Sequence, residues 1–240
     1  MDYSYILNSA LPQKEKLLEF GFCDLKNNGI FVCKKTILNG DFYALVTLNI
    51  SRGQLEAKVF ETATDEKYAL FDVSSACGAF VGEVRGEVQK LMEEIRIKCF
   101  VTQDIKQKYL DFLHSQFGAC GDTPWADDGD ATSTVFRCPN NKWFALVMKI
   151  KFRSLGFESD ESVWAVNLKA DPDLILKVTD RKSIFPAYHM NKKYWLTVLL
   201  TAVTDFDTLC NLTEQSFKLV QNKGSLRLIC RASGASSESF

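Results

Sequence analysis

FYALVTLNISRGQLEAKVFE, residues 42–61, reads as two strands and a turn. FYALVTLNI (42–50) and QLEAKVFE (54–61) carry strand-forming residues, and Arg52-Gly53 separates them as a hairpin turn would. A third strand-like run, IFVCKKT (30–36), follows Asn28-Gly29, and Asn39-Gly40 separates it from the hairpin. The spacing predicts a helix over about 11–20, with Pro12 in its first turn and Gly21 as its stop. Beyond the hairpin, Phe80, Val84, Val88, Leu91 and Ile95 recur at three- and four-residue steps, predicting a helix over about 79–98. The order is helix, antiparallel strands, helix.

The second half follows the same order without a close sequence repeat. Ile105, Tyr109, Phe112, Leu113 and Phe117 share one face of a helix over about 103–117. A loop rich in acids and glycine leads to strands near 133–138 and 143–153, joined by Pro139-Asn140-Asn141. A strand at 162–169, a short helix at 172–179 opened by Asp171-Pro172, and a strand at 194–200 come next. The last helix, about 205–222, takes Asp205 as N-cap and aligns Phe206, Leu209, Cys210, Phe217 and Val220. Helices segregated beside antiparallel strands predict an α+β fold in both halves, each a sheet with helices on one face. The expected division is residues 1–99, residues 100–232 and a flexible tail, SGASSESF (233–240).

Composition narrows the function classes. The 240 residues are 46% hydrophobic and 25% charged, with 18 Phe and 4 Trp, which is ordinary for a folded protein. No basic segment precedes an apolar run at the start, and no stretch of about 18 apolar residues occurs, so a cytosolic protein without a membrane span is expected. Eight cysteines without a CxxC pair lie in apolar segments and read as buried small hydrophobes in a reducing compartment. Residues 1–100 hold 12 Lys/Arg against 14 Asp/Glu, and residues 101–240 hold 17 against 16, so neither half is a basic domain. That argues against strong nonspecific DNA binding, though not against a local basic patch.

Three segments carry a family resemblance. FPAYHMNKKYWLTV (185–198) resembles the hallmark of the MmcQ/YjbR family, VFRCPNNKWFALV (135–147) its central hairpin, and NLKADPD (167–173) its following strand and helix start. The resemblance covers about residues 100–223. SSACGAFVGEVRGEV (74–88) is similar to the extra domain that precedes this module in some members. The resemblance implies a frataxin-like α+β sandwich and a DNA-binding label, and it carries no catalytic residues across.

Candidate sites follow from residue types, each beside a simpler structural role. In the block Tyr188, His189, Met190, Asn191, Lys192, Lys193, Tyr194 and Trp195, two lysines lie between aromatic rings, suiting phosphate contact with base stacking. The simpler role is a turn with Tyr188 and Trp195 beneath it and His189 in the core, the commoner case for aromatic residues. In MKIKFR (148–153) a strand would place Lys149, Lys151 and Arg153 on one face about 7 Å apart, a spacing that suits successive phosphates; a solvated sheet face is commoner. The loop with Asp122, Asp127, Asp128 and Asp130 lacks EF-hand spacing and reads as solvated. The helices at 11–20 and 103–117 mix lysine with acids and form no acidic ridge for iron.

Cys77 lies by a helix start, where a thiol is activated, but His114 and His189 both belong to the other half. Gly78, Gly82 and Gly86 line one helix face, which predicts close approach to the sheet or to a partner. GxGxxG, GxxxxGK[ST], HExxH and GxSxG are all absent. The leading expectation is a non-enzymatic binding protein without cofactor or metal, holding DNA or another nucleic acid through Lys149, Lys151, Arg153, His189, Asn191, Lys192, Lys193, Tyr194 and Trp195. The alternatives are a protein-interaction or small-molecule module, and an enzyme using Cys77.

Overall fold

The computed structural model describes residues 1–25, 28–127, 129–130 and 132–232, with side chains described as far as residue 221. Asp128, Cys230 and the expected tail at 233–240 lie outside the residues or side chains so described. The fold is mixed α and β with antiparallel sheets. It divides into two compact units, one of Met1–Gln103 with Gly156–Ser159, the other of Asp104–Leu155 with the chain from Asp160 onward.

In the first unit, β2 (Cys23–Asp24), β3 (Ile30–Ile37), β4 (Phe42–Asn49) and β5 (Gln54–Glu61) form a four-stranded antiparallel sheet in chain order. The two hairpin turns expected from sequence are there: Asn39 and Gly53 both take positive φ. One face of the sheet is apolar, with Phe31 and Cys33 of β3 beside Val46, Leu48, Leu55 and Ala57, all buried. Helix α2 (Ala79–Cys99) buries Val84, Val88, Met92 and Ile95, the 3.6-residue stripe that the sequence predicts. Phe80, placed on that stripe, is instead half exposed and packs against Tyr68 and Phe42. Helix α1 (Lys14–Phe20) ends on Gly21 in the left-handed conformation. Pro12 does not open α1; it ends β1 (Ala10–Pro12), which pairs with β6 (Phe100–Thr102), a placement proline tolerates at an edge.

In the second unit, β7 (Thr134–Arg137), β8 (Trp143–Lys151), β9 (Ser162–Lys169), β10 (Ile184–Pro186) and β11 (Trp195–Leu199) build an antiparallel sheet in the order β10-β11-β9-β8-β7. α3 (Lys106–Phe117) and α5 (Phe206–Ala232) supply Tyr109, Leu113, Leu209 and Leu212 to a core with Val147, Val166, Leu168, Leu196 and Val198. Tyr109 and Thr213 share a buried hydroxyl hydrogen bond of 2.9 Å between the two helices. Ser216 of α5 donates to Phe144 O and accepts from Lys169 N, tying the helix to two strands. Asp171 caps α4 (Pro172–Val178) by accepting from Asp173 N, and Asp205 caps α5 by accepting from Thr208 N. The opposite sheet face, including Met148, Ile150, Ala165 and Leu199, is buried as well.

Candidate nucleic-acid interface

Asn167 and Thr197 face each other across β9 and β11 and are fully buried. The Thr197 hydroxyl donates to Asn167 Oδ1 and accepts from Tyr188 N, while Asn167 Nδ2 donates to Tyr188 O. A central pair of polar side chains therefore grips the backbone where the 188–195 block begins, and each polar atom in the group is satisfied. His189 then takes φ of +54°, an uncommon left-handed value for a residue with a Cβ, and its ring stands exposed against Tyr188 at 3.9 Å between centroids. The expectation of a core histidine is wrong for this reason: the left-handed step turns the side chain outward.

Asn191 shapes the turn. Its Oδ1 accepts from Lys193 N and its carbonyl accepts from Tyr194 N, a side-chain-capped turn that occupies much of its hydrogen-bonding capacity. The turn leaves Lys192, Lys193 and Tyr194 exposed, with the Lys193 ammonium 5.4 Å from the Tyr194 ring centre. Trp195 is half buried and pairs across the ladder with Lys169, whose ammonium lies 5.6 Å from its ring. Lys169 escaped the sequence reading because cross-strand register is invisible there; its place in NLKADPD was the one available hint.

The 149–153 row is elsewhere. Lys149 and Lys151 alternate with buried residues, as expected, but they continue the helix-packed face of Ala145 and Val147. The strand stops at Lys151, so Arg153 lies in a short 3-10 turn and not on the strand face. Asp160 takes up much of the charge: its carboxylate is 2.8 Å from Arg153 and 3.6 Å from Lys151, and the Arg153 hydrogen bond holds it below the usual carboxylate range. Register fixes the separation. Lys149 pairs with Trp164 and Lys151 with Ser162, at the start of β9, whereas Trp195 pairs with Lys169 at its end. Five to seven residues at about 3.3 Å each put the two cation groups roughly 17–23 Å apart along the strand. They are two patches at opposite ends of one sheet.

Residues 115–219 match the family model described as YjbR. This stretch belongs to the YjbR family. The chain is 28% identical over 109 residues to the uncharacterized protein YyaQ of Bacillus subtilis (strain 168), covering 45% of this chain and 92% of that one. A crystal structure of a Pseudomonas syringae protein is 35% identical, covers 48% of this chain and 97% of its own, and superposes with a TM-score of 0.45. A Deinococcus radiodurans protein is 26% identical over 48% of this chain and 80% of its own, with a TM-score of 0.37.

The YjbR stretch contains the acidic loop, and two of its carboxylates hold the loop together. Asp122 receives the Arg137 guanidinium at 3.1 Å, and the Arg137 guanidinium lies 5.4 Å from the Trp143 ring. Hydrogen bonds from Ser133 and Thr132 bring Asp130 down to about 2. Among the described residues no three His, Cys, Asp or Glu side chains group to hold a metal ion.

In the first unit, Cys23 and Cys77 are exposed and Cys33 and Cys99 buried; in the YjbR unit, Cys120 is exposed, Cys210 half buried and Cys138 buried. The view of all cysteines as core residues therefore fails for three of them. Burial pushes the Cys99 and Cys138 thiols up to about 11, which suppresses thiolate chemistry there. Of the two reasons expected for the helix glycines, close approach to the sheet is not found: a Cβ added at Gly78, Gly82 or Gly86 would meet nothing within 4 Å. Gly78 is required by its φ of +141°, but no close approach within the chain explains Gly82 or Gly86. Among the described residues no helix is long and apolar enough to cross a membrane.

Proposed function

We propose that the YjbR unit binds nucleic acid, without chemistry of its own, at the end of the sheet where the 191–194 turn meets β11. The observation that carries this reading is the exposure of Lys192, Lys193 and Tyr194 on one capped turn beside the Lys169–Trp195 pair. Lys142, exposed in the turn that leads into β8, lies at the same end by register, two strands away. Lysine ammoniums meet phosphates, and an exposed tyrosine offers a base a ring to stack on, worth about 1–3 kcal/mol per base. The 149–153 row is not part of this site, because Asp160 offsets it and register puts it at the other end. With few cations at hand, affinity rests on a few phosphates, and the salt dependence is correspondingly shallow.

The test is fluorescence anisotropy of labelled single- and double-stranded DNA and RNA with the full chain across a salt series. Micromolar binding to single strands that weakens with salt, and is lost in Lys192→Ala/Lys193→Ala, is the expected result. No binding at low salt ends the proposal and leaves the second reading, a protein-interaction role.

A further inference from the structure

Lys35 stands on the wrong face for a solvated lysine. It shares a face of β3 with Phe31, Cys33 and Ile37, which are buried, and its ladder partner Ala44 is buried too. A lysine at an apolar position is costly unless its ammonium escapes to water or finds a partner. Its ammonium emerges past Gly21, where a Cβ would sit 3.7 Å away, and lies 4.8 Å from the Phe20 ring centre. There it lines a cleft of about 590 Å³ between α1, α2 and β3, together with Lys16, Lys98, Phe20 and Ile97. Glu94 and Glu19 complete the wall. Lys98 is paired with Glu94 at 2.7 Å, whereas Lys16 and Lys35 show no ion pair among the described residues. Ile97 is 70% exposed, an apolar wall facing water beside two ammoniums without an ion pair among the described residues.

We propose that this cleft is a second binding site, for a small organic phosphate, with Lys16 and Lys35 taking the phosphate and Ile97 taking the apolar body. Three lysines converge on one opening, and a phosphate dianion matches two unpaired ammoniums better than a carboxylate does; lysine acts as a point charge without the fork that favours carboxylates. The Phe20 ring, with the Lys35 ammonium over it at 4.8 Å and that of Lys98 at 5.9 Å, gathers two of these cations at the same opening. Glu19 and Glu94 in the same wall disfavour an extended polyanion, so the occupant is a single small molecule and the site is independent of the one at Lys192 and Lys193.

Phenyl phosphate and inorganic phosphate are titrated into the full chain at low salt, followed by NMR chemical shifts. Saturable phenyl phosphate binding, tighter than inorganic phosphate, is expected. Lys35→Met keeps the aliphatic stem against Phe20 and should weaken that binding about ten-fold, the scale of one charge-assisted hydrogen bond, while Lys58→Met, outside the cleft, leaves it unchanged. Lys16→Met serves the same purpose where Lys35→Met lowers the melting temperature. Absence of saturation, equal weakening by Lys58→Met, or equal affinity for the two phosphates overturns the proposal.

Discussion

Lys192 and Lys193 owe their exposure to the residues that shape the turn carrying them. The Asn191 side chain closes the turn, and Thr197 and Asn167 hold its approach from inside the sheet. Thr197→Val keeps the shape but leaves the Tyr188 N–H without its acceptor and Asn167 Oδ1 without its donor. A loss of about 1–3 kcal/mol in denaturant unfolding is expected, with looser Tyr188–Tyr194 backbone in hydrogen exchange. The residue types in this block were legible in the sequence; their division of labour was not, because Asn191 as a cap and Asn191 as a base reader look the same in one dimension. Asp205 gives a pH-dependent case. Hydrogen bonds from Thr208 hold its carboxyl below the ordinary value. Stability from a depressed carboxyl is complete above the unfolded value of about 3.9 and disappears as pH falls through the folded value. Asp205→Asn caps nearly as well but does not titrate. Its melting temperature should match the parent at pH 7 and fall less steeply between pH 4 and pH 2; equal slopes would exclude the capping role.

Elements were read well where periodicity was strong and poorly where it was short. Strands β3, β4 and β5, and helix α2 apart from Phe80, match their hydrophobic patterns because a buried face fixes the register. The two- and three-residue strands β1, β2, β6 and β10 are illegible in the sequence, since so few residues carry no period, and the expectation of Pro12 as a helix opener rests on local preference alone. The alternation in MKIKFR extended the strand through Arg153, but the chain turns after Lys151. Helix α2 makes a prediction of its own. Gly82 and Gly86 are exposed and nothing in the chain occupies the space of a Cβ. Gly82→Ala and Gly86→Ala should each stabilise the protein by about 0.5–1 kcal/mol in chemical denaturation. A loss of stability would mean that the helix packs against something at those positions.

On the scale of the molecule, near-neutral halves made a broad basic surface an unpromising expectation, and the sheet register shows how the cations are distributed. Residue type alone groups Lys149–Arg153 with Lys192–Lys193 as one candidate face and leaves their adjacency open; strand pairing separates them to the two ends of β9. Two buried central strand residues and one capped turn hold the proposed site in the YjbR unit, and the first unit holds its own cleft. The central claim is where nucleic acid binds, and a matched pair of variants tests it most directly. Anisotropy with a labelled single-stranded oligonucleotide is measured across salt for the parent, for Lys192→Ala/Lys193→Ala, and for Lys149→Ala/Lys151→Ala/Arg153→Ala. The account predicts that the first variant binds at least about ten-fold more weakly with a shallower salt slope, while the second stays within about two-fold of the parent. Equal losses in both variants, or a larger loss in the second, would contradict it.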